Sequence, residues 1–415
     1  MRHGTAIFLA GALLAAPAFD VNADSITDWN VTAGNLVVES KLGTPPAIRV
    51  MAIVQSAVFD AVNRAHRHPP SSLEAAVAAA NRVALTRLVP AQRAGIDSAY
   101  HAALATIPDG PARTAGIEAG EQAAAAVLAA RSEDGAAGPD AYRPHTTAGI
   151  YVPTATPAVA GWSRRKPWLM TTGSQFRPAP PPALTSDTWA RDYDEVKALG
   201  SKSSTRRSPE QTEIARFWEY SLPPIYFGVV RSVADRPGRD VARNAALYAA
   251  LAQAMDDAMI SVFDAKYHYN FWRPVTAIRN GDTDGHDGTA RDAAWAPFID
   301  NPMHPEYPSA HSILASTVAE VLKADVGGGS MPALSTASPS AKGAVRRWKD
   351  TDDFVREVSD ARVYEGVHYR FSTEAGSRMG LQIGRQAAMK LQLMVQGGEA
   401  WAATASATAR AMDLR

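Results

Sequence analysis

Residues 240–266, DVARNAALYAALAQAMDDAMISVFDAK, decide the fold. Val241, Tyr248, Leu251, Met255, Ala258 and Val262 recur mostly at three- and four-residue steps, which lines apolar groups along one face of a helix. The chain on either side repeats the pattern. Upstream, residues 48–65 place Ile48, Met51, Ala52, Val54, Ala57, Val58 and Val62 on one stripe. Residues 73–88, a segment opened by Pro90, the Ala-rich residues 112–130, and residues 188–199 and 209–218 read as further helices. Downstream, Thr351 caps a helix whose first turn holds Asp352 and Asp353, Gly366 ends it, and a last long helix runs from Ser372 or Thr373 to Val395. Residues 27–46 read as partly irregular, and Gly327-Gly328-Gly329-Ser330 as a flexible joint. With no alternating strand series and no fixed-period repeat, the expected fold class is all-α: a helical bundle of two packed four-helix-bundle-like halves. The Pro- and Gly-rich residues 136–186, stiffened by Pro178-Ala179-Pro180-Pro181-Pro182, form a long surface excursion in the first half. The expected division is residues 24–205 and 206–415.

Composition narrows the functional classes. The 415-residue chain is 46% hydrophobic, enough for a sizeable core. Its 42 basic and 42 acidic residues cancel, so neither nucleic acid nor a charged membrane surface is implied as a partner. It contains 0 cysteines, which excludes disulfides, thiolate nucleophiles and cysteine metal sites. Residues 1–23 read as a secretory signal peptide: Arg2 and His3, a short apolar stretch from Ala6 to Ala16, and Val21-Asn22-Ala23 as the cleavage site. A single early arginine favours the general secretory route, and no later run is expected to span a membrane. An exported protein, periplasmic or secreted, is expected.

Three separated segments carry the chemistry. The first is Lys266-Tyr267-His268-Tyr269-Asn270-Phe271-Trp272-Arg273-Pro274. If the helix continues, Lys266 and Arg273 share one face two turns apart, although Pro274 disfavours helical geometry at Arg273. The flanking aromatics imply buried cations, and buried cations need an anion nearby. The second is Pro305-Glu306-Tyr307-Pro308-Ser309-Ala310-His311-Ser312, a stiff turn opening a helix. Free amides at Ser309 and Ala310 attract an anion, the Ser309 hydroxyl can donate to it, and His311 is placed as an acid or base. The third is Arg362-Val363-Tyr364-Glu365-Gly366-Val367-His368, with a guanidinium at a helix end and an imidazole in the following joint. The fork of Arg362 suits a tetrahedral oxyanion, and His368 is free to point inward as nucleophile or ligand.

Lys-x6-Arg-Pro, Pro-Ser-x-His and Arg-x5-His in this order resemble the superfamily that unites type 2 phosphatidic acid phosphatases, bacterial acid phosphatases and vanadium-dependent haloperoxidases. The resemblance covers residues 266–368. The preceding helical half, with Asp28-Trp29-Asn30 and Ala57-Val58-Phe59-Asp60-Ala61-Val62, is similar to the haloperoxidase branch. By this resemblance Lys266, Arg273 and Arg362 hold the equatorial oxygens of vanadate or phosphate, with hydrogen bonds from Ser309 and the Ala310 amide. His311 is then the acid–base residue, and His368 ligates vanadium or attacks phosphorus. His304, seven residues before His311, is similar to a second histidine of bromide-oxidising members, and a turn-packing role stays open beside that one. His268 has no role by resemblance and reads as a packing residue. Two positions depart from the pattern. Ala310 stands where glycine is usual, and Ala361 and Ser372 replace the usual serine and aspartate of the third motif. The missing aspartate normally orients the nucleophilic histidine, and Glu374, Glu365 and Asp257 are candidates to replace it.

The resemblance implies a vanadate-dependent haloperoxidase, with the second half as the catalytic bundle. Its substrates would be hydrogen peroxide, a halide (bromide ahead of chloride) and an organic acceptor. The alternative is a phosphomonoesterase acting through a phosphohistidine at His368, without a cofactor; a minor one is a non-catalytic oxyanion-binding protein. Assembly into a homo-oligomer stays open. Asp282-Thr283-Asp284-Gly285-His286-Asp287-Gly288 lacks the glycine and the terminal acid of a calcium loop and reads as a polar turn.

Overall fold

The computed structural model describes residues 24–138 and 142–412, with side chains through residue 396. The expected leader, residues 1–23, lies outside the described residues. Thirteen α-helices follow one another among the described residues. The first six are α1 (Ser25–Glu39), α2 (Thr44–Arg67), α3 (Leu73–Leu88), α4 (Arg93–Ala105), α5 (Pro111–Ala130) and α6 (Asp187–Leu199). The rest are α7 (Pro209–Trp218), α8 (Pro223–Ala234), α9 (Val241–Tyr269), α10 (Pro274–Arg279), α11 (Ala310–Val326), α12 (Thr351–Tyr364) and α13 (Arg370–Met412). The class is all-α.

The stretch that decides the fold is also its axis. Along α9 every residue from Asn244 to Lys266 is buried except Gln253 and Asp264, which are half-buried. A helix covered on all sides lies at the centre of its domain. α2 packs against it from the first half, and α11 and α13 from the second. One apolar core therefore runs from Ile26 and Val54 through Met255 to Leu314 and Ile383. α13 approaches α11 at glycines: a Cβ at Gly376 would collide with the Ser309 carbonyl oxygen, and one at Gly380 with that of Ile313. Gly116 and Gly120 of α5 meet the Ser72 and Ala76 carbonyls in the same way.

Several expectations change. Residues 27–46 are helical over most of their length. Asp24 accepts the Thr27 N–H at 3.0 Å, and Ile26, Trp29, Ala33 and Val37 bury a stripe on α1. Pro45 and Pro46 sit in the first turn of α2, where a missing N–H costs nothing. α12 is capped by Asp350, which accepts the Asp352 and Asp353 N–H groups at 3.0 and 2.9 Å, and Thr351 is its first residue. α13 starts two residues earlier than expected and extends past Val395 to Met412. A small antiparallel hairpin, β1 (Leu334–Ser338) with β2 (Ala344–Trp348), went unread because its short strands hold few apolar side chains. The excursion of residues 136–186 is not confined to the surface, since Tyr151 and Arg165 are fully buried in it. α2 is long and apolar enough by composition to cross a membrane, contrary to expectation, but 72% of its most apolar window is buried against other helices, as in a core helix.

Candidate functional site

The helix carrying Lys266 does not continue to Arg273. It ends at Tyr269, and Asn270 adopts a left-handed conformation (φ 48°) that Asn tolerates well. Arg273 is instead the extended N-cap of α10, as its place before Pro274 favours. The two cations thus share no helical face, yet both reach the turn that precedes α11. Lys266 Nζ donates to the Pro305 and Glu306 carbonyls at 3.0 and 2.7 Å. Arg273 donates from Nε to the His304 carbonyl at 3.0 Å and from Nη1 to the Val367 carbonyl at 2.7 Å. Its Nη2 lies 3.0 Å from His304 Nδ1, and its Nη1 lies 3.3 Å from His368 Nε2. Both cations are fully buried.

Ser309 caps α11, and its own N–H donates to the Ser372 carbonyl at 3.1 Å, tying the second segment to the third. Ala310 opens the helix, where amides have no intrahelical acceptor. Next to it, His311 places Nε2 3.4 Å from Arg362 Nη1. Arg362, in the last turn of α12, forms an ion pair with Glu365 and points Nη1 at the Trp218 carbonyl, 3.4 Å away. Its buried Nε has no hydrogen-bond partner among the described residues. His268, expected to pack, is exposed on the last turn of α9, its ring edge against Tyr269.

The acid beside His368 is none of those expected. Glu374 is exposed and pairs with Arg378, Glu365 is engaged by Arg362, and Asp257 accepts the N–H groups of Trp168, Leu169 and Met170. Glu306 fills the place: its Oε1 lies 2.7 Å from His368 Nδ1 and accepts the Tyr369 N–H at 3.1 Å. Ser372, at the position of the usual aspartate, keeps a hydroxyl 3.3 Å from the same nitrogen. The signal for Glu306 was in the sequence: a carboxylate between two prolines and beside a tyrosine sits in a buried turn and needs a partner.

Burial and mutual repulsion set the electrostatics. Burial, reinforced by the charge of Arg273, holds Lys266 well below its ordinary pKa. Burial lowers Arg273 to about 10 although Glu306 opposes the shift. His304, His311 and His368 are held well below the ordinary histidine range, by burial first and the neighbouring cations next, so all are neutral near pH 7. Burial raises Glu306 to about 7 and Glu365 to about 8, against the pull of the same cations. Three buried cations thus face two carboxylates that ionise with difficulty. The surrounding donors are N–H and O–H groups, a set that suits the oxygens of an anion.

Comparison with known proteins agrees with this architecture. Residues 246–397 match the family model of the VCPO second helical-bundle domain, which supports the resemblance to the haloperoxidase branch. A vanadium chloroperoxidase of Curvularia inaequalis is 29% identical over 182 residues, which is 37% of this chain and 30% of that protein. The match thus spans under a third of that relative's length. Among solved structures, a bacterial vanadium-dependent iodoperoxidase is similar with a TM-score of 0.76 at 22% identity, covering 88% of this chain and 96% of that one. The holo form of a bacterial vanadium-dependent chloroperoxidase gives 0.68 at 19% identity, covering 91% and 99%. These likenesses show the shared fold.

Proposed function

We propose that this protein is a vanadate-dependent haloperoxidase that oxidises a halide with hydrogen peroxide, bromide ahead of chloride. The observation that carries the reading is the charge imbalance: Lys266, Arg273 and Arg362 are buried together beside only two carboxylates, Glu306 and Glu365, both raised in pKa. A tetrahedral oxyanion would supply the acceptors and the negative charge that such a shell lacks. Lys266, Arg273, Arg362, Ser309 and the Ala310 amide would hold its oxygens, and His368 Nε2 would ligate it. Vanadate bound there would supply activation of hydrogen peroxide toward two-electron oxidation of the halide.

The remaining chemistry belongs to the chain. Glu306 accepts the proton of His368 Nδ1, which fixes the tautomer and leaves the Nε2 lone pair toward the site. His304 Nδ1 lies 3.0 Å from Arg273 Nη2, which can only donate, and 3.2 Å from the Pro305 carbonyl, which can only accept, so the ring is held between the two. Arg362 likewise donates to His311 Nε2, while the His311 ring bonds the Trp218 carbonyl. His311 is therefore a neutral imidazole placed to pass protons, its orientation set from both sides. The second half supplies all of these groups, in keeping with a catalytic bundle over residues 206–415, and the reading includes export of the mature chain.

The test is bromination of a phenolic dye with hydrogen peroxide, bromide and added orthovanadate. A rate that depends on orthovanadate supports the proposal, and none overturns it. One observation favours a second reading: a carboxylate on His368 Nδ1 also equips a phosphohistidine nucleophile. Phosphate release from a phosphomonoester that disappears in His368→Ala, without bromination, would select it.

A further inference from the structure

A row of serine hydroxyls crosses the seam between α11, α12 and α13. Ser309 Oγ accepts from Ser312 Oγ at 3.0 Å and from the Ser312 N–H at 3.4 Å. Ser312 Oγ accepts from Ser359 Oγ at 3.2 Å, and Ser359 Oγ lies 3.3 Å from Ser377 Oγ. Ser309 and Ser312 are fully buried, Ser359 is 9% exposed, and Ser377 is half-buried. At the outer end, Ser359 and Ser377 line an open groove of about 510 Å³ that also holds Glu320, Asp360 and Glu374. The glycine contacts of α13 bring the helices close enough for these short side chains to touch. The hydroxyls form one line from an open groove lined by both acidic and basic side chains to the residue that caps the oxyanion site.

We propose that Ser377, Ser359, Ser312 and Ser309 form a proton path into the site, with Ser309 as its inner terminus. The inference rests on the function proposed above. The net conversion there, H2O2 + Br− + H+ → HOBr + H2O, consumes one proton per turnover, and the buried shell of cations repels free hydronium. Along the path each hydroxyl releases its proton ahead and takes one from behind. The O–H bond of Ser309 breaks toward an oxygen in the site and reforms with the proton of Ser312. Ser359 and then Ser377 repeat the exchange, and the groove supplies the last proton. No charge remains on the serines. The direction is built in: with both acceptor sites of Ser309 engaged by Ser312, its own O–H has only the site to donate to. Ser312, Ser359 and Ser377 act through Ser309 and touch no substrate.

Ser359→Ala tests the path, with Ser359→Thr as the variant that restores a hydroxyl and Ser316→Ala as a control in the same groove but off the line. Ser359→Ala should lower kcat about tenfold, the low side of general acid–base effects. It should leave the KM for bromide and the Kd for orthovanadate unchanged, and raise the solvent deuterium isotope effect. Ser359→Thr should recover kcat, and Ser316→Ala should match the parent. Full kcat with an unchanged isotope effect in Ser359→Ala overturns the path. Neutron diffraction from a deuterium-exchanged crystal gives a readout independent of turnover. It should show the Ser359 O–D pointing at Ser312, the Ser312 O–D at Ser309, and the Ser309 O–D into the site. A Ser309 O–D pointing back at Ser312 overturns the path. The ordered O–D line without any bromination in the parent would instead reject the haloperoxidase reading.

Discussion

Two clusters of buried charge sit on the same helix and are built differently. Midway along α9, Asp256 and Asp257 face Arg165, Asp134, Arg49 and Arg131, three cations to three carboxylates. Arg165 meets Asp256 at 2.6 and 2.9 Å and Asp134 at 2.8 Å. At the end of α9, Lys266 and Arg273 meet mostly backbone carbonyls, and carboxylates are in the minority. The basicity of the two arginines follows. Burial works to lower both, yet Asp256 and Asp134 lift Arg165 above its ordinary range, while Arg273 falls to about 10. Depth alone does not separate a structural charge from a functional one. The balance of counter-charges does, because a shell left positive is stabilised by an arriving anion and a neutral one is not.

The comparison breaks most readily at Arg165. Arg165→Ala removes the ion-pair partner of buried Asp256 and leaves Asp134 with Arg49 alone, and should cost about 3–5 kcal/mol of stability, read from thermal or denaturant unfolding. Lys266→Met should change the stability of the vanadate-free protein by no more than about 1 kcal/mol, since it removes a cation that has no carboxylate partner of its own. Equal losses in the two variants would show that both clusters are structural. Orthovanadate at about 100 times its Kd should stabilise the parent by about 2.7 kcal/mol. At that same concentration Lys266→Met should lose most of the gain, and a full gain there would remove Lys266 from the oxyanion shell.

Acid and base should act with opposite sign on Asp134 and on the two carboxylates of the site. In Asp134, burial pushes the pKa up, but the hydrogen bonds from Arg49 and Arg165 win and hold it below the ordinary value. Its contribution is present above the unfolded carboxylate value and is lost as pH falls through the folded one. Glu306 and Glu365 are raised, to about 7 and about 8. Their contribution is full below the unfolded carboxylate range and drains away as pH rises through those values. The vanadate-free protein should therefore lose stability between about pH 5 and pH 8, and Glu365→Gln should flatten the upper part of that slope. A midpoint flat across this range would mean that neither carboxylate is raised.

What the sequence showed and what it hid divide along the same physical line. Helices with an apolar period were legible: residues 188–199 and 209–218 fall within one residue of α6 and α7. So were the cations, histidines and capping serine, because Arg273 and His368, and Arg362 and His311, do meet across long stretches of chain. Pairings that depend on where a turn points were not legible. Glu306 stood in the quoted motif, yet nothing local says that its carboxylate crosses to His368, 62 residues away. Asn270 breaks the helix through a left-handed residue, which Pro274 suggested only four positions later. α1 was hidden because two prolines beyond it mark a helix start as readily as a disordered stretch.

The smallest effect expected concerns the methyl group of Ala310, where the motif that the sequence resembles usually has glycine. Ala310 is the first residue of α11, half-buried and helical, a conformation that alanine adopts more readily than glycine. Its amide stands at the helix N-terminus whichever residue is present, so the hydrogen bond expected from it does not need the glycine. Ala310→Gly should cost about 0.5–1 kcal/mol of stability and shift the Kd for orthovanadate less than about threefold, measured by equilibrium dialysis. A tenfold gain in affinity would mean that the methyl group intrudes on the oxyanion. The positive shell would then be partly closed to its guest, and the imbalance that distinguishes it from the Arg165 cluster would not by itself predict binding.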